Sequence, residues 1–152
     1  MLGMLAGAIA LIAITFSQPA WAASEIENFF VSQVKAKFED APATQPGRER
    51  RMGRSADGIY LIELVGKPNP HTVTIMAGVT KANLQSVVDL AGQASFLFLD
   101  WQKPAPWLAK AVPAALNGKP GSTKTPEGAK VGVTSMMPAS PILSVVLEQA
   151  PH

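Results

Sequence analysis

Ile26, Phe29, Phe30, Val34 and Phe38 recur at helical spacing in SEIENFFVSQVKAKF, residues 24–38. Such a stripe predicts an amphipathic helix. Ser24 and Glu27 form a capping box at its start. Glu25 and Glu27 meet the positive end of the helix dipole, Lys35 and Lys37 the negative end. From 39 to 58 the apolar pattern lapses. EDAPATQPGRERRMGRSADG carries two prolines and three glycines and reads as one long loop, of a length usually reserved for function or disorder.

The pattern then changes period. GIYLIELV (58–65) and HTVTIMAG (71–78) are β-branched and apolar across a Gly/Pro turn, which predicts a hairpin. YLIELV is apolar on both faces except at Glu63, the mark of an interior strand. The alternation of HTVTIM puts His71, Val73 and Ile75 on one face. VTKANLQSVVDLAG (79–92) predicts a helix capped by Thr80, apolar at Leu84, Val87, Val88 and Ala91, and ended by Gly92. SFLFLDW (95–101) is a short apolar run read as a buried strand, compatible with a βαβ crossover or an antiparallel return. PAPWLAKAVPAAL (104–116) begins as a helix that Pro113 should kink or end. NGKPGSTKTPEG (117–128) is a loop by composition. AKVGVTSMM and ILSVVLEQ predict a second hairpin turning at 138–141. The predicted order is α-β-β-α-β-α-β-β, an α+β two-layer sandwich with a mostly antiparallel sheet of about five strands packed by two to three helices.

The first residues change the picture of where this domain works. No charged side chain precedes Glu25. An apolar run to Phe16 is followed by the break Ser17-Gln18-Pro19 and then by Ala20-Trp21-Ala22. A hydrophobic region followed by small-x-small is the order of a secretory signal, with cleavage between Ala22 and Ala23. Residues 1–22 are therefore expected to be a signal peptide and 23–152 a single mature domain with a long basic loop at 39–58. The segment has no Lys or Arg of its own, so a retained membrane anchor over residues 1–23 is the alternative.

Composition narrows the chemistry. The absence of cysteine excludes disulfides, thiolate metal sites and a cysteine nucleophile. Of the two histidines, His152 ends the chain and His71 opens a strand, so a His-rich metal site has no material and no cofactor is expected. No Gly-x-Ser-x-Gly or Ser-x-x-Lys pattern occurs. Glu63, His71 and Asp100 are the catalytic candidates of an alternative hydrolase reading, which requires them to converge in one pocket. Trp101 and Trp107 flank a proline-bounded loop. They either anchor a partner or cap the edge of the core.

Charge is local. All four arginines lie in RERRMGR, residues 48–54, while the chain totals only +2. The planar guanidinium matches carboxylate and phosphate oxygens two at a time, so Arg48, Arg50, Arg51 and Arg54 are binding candidates. Outside a membrane their partner would be an acidic protein patch or another anionic surface, not nucleic acid. The expectation is a small exported binding protein, an envelope accessory protein or an inhibitor of another exported protein.

Overall fold

The computed structural model describes residues 24–66, 69–136 and 141–151. The expected signal segment and its expected Ala22–Ala23 cleavage site, the expected turn at 138–141 except Pro141, and His152 lie outside them. In chain order the elements are α1 (Glu25–Val34), β1 (Lys37–Ala41), β2 (Arg50–Arg54), β3 (Tyr60–Val65), β4 (Thr72–Gly78), α2 (Leu84–Leu99), α3 (Ala105–Leu116), β5 (Gly121–Lys124), β6 (Lys130–Met136) and β7 (Ile142–Glu148). The α+β class holds, but the sheet has seven strands, ordered β1-β2-β3-β4-β7-β6-β5. Every neighbouring pair is antiparallel. Two meanders, β1 to β4 and β5 to β7, meet where β4 pairs with β7.

One face of this sheet carries the core. Ile62 and Leu64 of β3, Val73 and Ile75 of β4, Val145 and Leu147 of β7, and Val131 and Val133 of β6 are each at most 1% exposed. They stand in cross-strand register, Ile62 opposite Ile75 opposite Val145 opposite Val133. Alternation along a strand sends these residues to one side, and the helices pack there. Phe30 of α1, Val87, Ala91 and Ala94 of α2, and Leu108 and Val112 of α3 complete the same cluster. The side chains between them, such as Leu61, Glu63, Thr74, Met76 and Val146, are half-exposed on the opposite face. Among the described residues no helix lies there.

Five expectations are corrected. Residues 39–58 are not one loop: β1 and β2 form a hairpin inside that stretch, and RERRMGR is largely strand. These strands carry charge at the sheet margin, where charged side chains blunt an edge, so no apolar alternation betrays them. The first helix ends at Val34, with Lys35 left-handed at φ 54°, and Phe38 belongs to β1.

Residues 95–99 are helix and not strand. Ala94, Ser95 and Leu99 continue the buried stripe of Val87, Leu90 and Ala91, so α2 runs straight through Gly92. The Ser95 hydroxyl donates to the Ala91 carbonyl at 2.7 Å, while Phe96 points outward, 51% exposed. A short apolar run fits either period, and the stripe on its N-terminal side decides. The helix stops at Asp100, left-handed at φ 53°. Finally, α3 continues past Pro113, whose ring is exposed, while Leu108, Val112 and Ala115 stay buried. The stretch 117–128 contains the edge strand β5.

The Phe38 ring lies across Gly53, its neighbour in register on β2. A Cβ added at Gly53 would sit 2.5 Å from Phe38 Cε1. Gly53→Val should therefore lower stability in urea unfolding by about 1–3 kcal/mol. Adding Phe38→Ala in the same chain should return part of that loss.

Candidate functional site

Alternation splits RERRMGR between the two faces. Arg51 and Gly53 point to the helix side, and Arg50, Met52 and Arg54 point to the uncovered side. Each arginine consequently meets a different environment.

Arg51 is committed to the fold. Its Nε and Nη2 donate to Glu27 of α1 at 2.9 and 2.7 Å, and its Nη1 donates to Asp40 of β1 at 2.6 Å. Glu27 thus reaches across to the sheet. Its backbone amide is the part that caps the helix, donating to Ser24 Oγ at 3.2 Å. The Glu27 hydrogen bonds, followed by that of Asp40, raise the Arg51 pKa further against the opposing effect of burial. Arg50 is committed as well. Its Nε donates to Glu63 Oε2 at 2.6 Å and its Nη1 to the Pro42 carbonyl at 3.2 Å. Arg48 and Arg54 are exposed. Neither forms an ion pair or side-chain hydrogen bond among the described residues.

Arg54 stands at the junction of two clefts. The larger, about 790 Å³, runs from Arg54 across Leu61 of β3 and Met76 of β4 to Ile142 of β7. The second, about 680 Å³, also contains Arg54 and Leu61, and continues over Met52 to Lys35, Lys37 and Glu39. Lys37, Arg54, Leu61, Met76 and Ser144 form one cross-strand row, so the clefts are two stretches of one trough over the uncovered face. Gly78 deepens it, because a Cβ there would meet nothing within 4 Å. Volumes of this size are those of small-molecule sites.

The turn from β2 to β3 closes one wall. Ser55 Oγ donates to Asp57 Oδ1 at 2.6 Å and accepts from the Tyr60 amide at 2.9 Å, and the Ile59 amide donates to the same carboxylate at 3.0 Å. The Ser55 hydroxyl first, and the Ile59 amide next, hold the Asp57 carboxyl below the ordinary aspartate range. At the opposite wall Thr80 and Asn83 cap the approach to α2 reciprocally: Thr80 N donates to Asn83 Oδ1 at 2.8 Å and Asn83 N to Thr80 Oγ1 at 3.3 Å.

The catalytic candidates are not brought together. Glu63 sits on the uncovered face beside Arg50. His71 precedes β4, its Nδ1 2.9 Å from Thr72 Oγ1. Asp100 ends α2 in the helical layer and accepts from Gln102 Nε2 at 2.8 Å. The sheet therefore stands between Glu63 and Asp100, and no hydrogen bond among the described residues joins two of the three. Groups of three or more metal-ligating side chains are likewise absent among the described residues. The rings of Trp101 and Trp107 lie 6.0 Å apart, tilted by 52° to each other, half-buried against the core where α2 turns into α3.

Leu61, Met76, Gly78 and Ile142 carry no motif, and the sequence reading passed over them. The available signal was Leu61 and Val65 on the second face of YLIELV and Met76 on that of HTVTIMAG, which among the described residues no further element covers. No protein-family profile, curated protein or solved structure matches the chain.

Two expectations follow from these contacts. Arg51→Ala should destabilise the protein by about 3 kcal/mol by stranding Glu27, a side chain only 7% exposed, without its partner. Arg51→Met combined with Glu27→Leu should restore most of that in the same denaturation assay. For Asp57 the fold prefers the ionised form. Its stabilisation is complete above the ordinary aspartate pKa near 3.8 and is lost as pH falls through the lower native value. Asp57→Asn should flatten that acid limb in a series of melting temperatures below about pH 4.

Proposed function

We propose that this is a small exported binding protein that holds its ligand on the uncovered face of the sheet, in the trough around Arg54. The observation that carries the reading is the pairing pattern of the arginines. Two of the four are locked by Glu27, Asp40 and Glu63. Arg54 stands without a partner among the described residues where two clefts meet beside Leu61 and Met76. A guanidinium left open beside half-exposed Leu61 and Met76 is the arrangement of a recognition site: the apolar surface supplies affinity and the cation supplies orientation.

Export rests on the order of features in residues 1–22, an apolar run, a polar break and Ala-Trp-Ala. Among the described residues no helix is long and apolar enough to cross a membrane. An accessory or inhibitory role outside the membrane fits a domain that presents an exposed arginine beside half-exposed apolar side chains. The hydrolase alternative finds less support, since its three residues share neither a cleft wall nor a hydrogen bond.

Photo-crosslinking in cells tests both halves of the proposal. A benzophenone amino acid placed at Leu61 should yield adducts in a fraction outside the cytoplasmic membrane, from protein beginning at Ala23. The same probe at Val31, exposed on the helical layer, should yield few. Equal adducts from the two positions would remove the trough from the function. Full-length protein confined to the cytosol would sink the exported role.

A further inference from the structure

We propose that the occupant of the trough is a single-chain anionic amphiphile, its head group held by Arg54 and its apolar chain lying over Leu61 and Met76 towards Ile142. The inference rests on the binding reading above and narrows it to a ligand class.

Several polar groups around the larger cleft are already used. The Gly78 amide donates to the Ile59 carbonyl and the Val79 amide to the Pro141 carbonyl. Asn83 Nδ2 donates to the Gly78 carbonyl at 2.8 Å, and Asn83 Oδ1 and Thr80 Oγ1 serve each other's backbone amides. Asp57 faces its own turn. An extended peptide needs free main-chain partners to dock on a sheet, and this floor consists of side chains above a fully paired ladder. A sugar would leave its hydroxyls unbonded there, at the cost of their desolvation. An alkyl chain meets neither obstacle.

Charge favours a negative head at one end only. Arg54 is open, and Lys35 and Lys37 follow it into the second cleft. Of the two carboxylates there, Asp40 is bonded to Arg51, which leaves Glu39 against two lysines. Dimensions agree: from β2 across β3 and β4 to β7 is three strand spacings, about 14 Å, the reach of a medium-length acyl chain. Met76 and Met52 supply flexible, polarisable walls that adapt to such a chain.

The test is methyl NMR on methionine-labelled protein, purified from the fraction where it accumulates, titrated with dodecanoate below its micellar concentration. The Met76 methyl signal should shift saturably. Dodecanol and the Arg54→Ser variant should each bind about tenfold more weakly, the loss expected for a charged hydrogen bond. Gly78→Val, whose Cβ meets nothing within 4 Å, should block the trough and abolish the shift while the melting temperature holds. Dodecyl phosphate in place of dodecanoate distinguishes the head groups, and saturable, Arg54-dependent binding of either supports the proposal. No saturable shift at Met76 with either probe, or equal affinity for dodecanol, would overturn it. Protein adducts from position 61 together with no amphiphile binding would overturn this inference alone and leave the binding face standing.

Discussion

Among the described residues three helices face a seven-stranded sheet and pack on one side of it, and that one-sided packing organises the domain. Burial of apolar surface is the main favourable term in folding, so the helices concentrate on the side where Ile62, Ile75, Val145 and their neighbours stand in register. The open arginine and the two clefts beside it then lie on the other side or at the margin. The uncovered face keeps apolar side chains at Leu61, Met76 and Ile142, with a cation among them.

The ion pair of Arg51 and Glu27 carries this asymmetry to the sheet's end. The strands β1 and β2 offer little apolar surface of their own, only Phe38 over Gly53 and the half-buried Met52. Arg51 ties them to the helical layer by a bidentate bond to α1 and a bond to Asp40 of the adjacent strand. Replacing such a pair by apolar side chains can be neutral, whereas removing one member is costly. The arginine therefore acts as a fastening at a margin with almost no core. Its neighbours in the strand sequence, Arg50 and Met52, project to the opposite face, where Arg50 is bonded to Glu63.

The sequence was legible where apolar periodicity was continuous. The helix at Glu25–Val34, the hairpin of β3 and β4 and that of β6 and β7 all follow from spacing. It misled where polarity masked a strand, as in β1, β2 and β5, and where a short apolar run fitted two periods, as at SFLFL. The arginine cluster was visible at once, but its division was not. Whether Arg51 or Arg54 is open depends on which strand face each occupies, and that was hidden while the segment read as a loop. The apolar members of the trough were hidden differently. Leu61 and Met76 look like core residues in a strand, and only the sheet's single covering layer leaves them exposed.

The junction of β4 with β7 bears on how the chain reaches this state. Residues paired there, from Gly78 with Ile142 to Thr72 with Glu148, are 64 to 76 positions apart, whereas β1 to β4 and β6 to β7 pair between near neighbours. Non-local pairing carries the loop-closure entropy before its contacts form, so each meander can assemble before the two are joined. Until that seam closes, both β4 and β7 present a bare strand edge in the middle of what will become one sheet. Such edges invite pairing with another chain. By sequence separation, the closing of this central seam is the pairing with the largest loop-closure cost in the sheet.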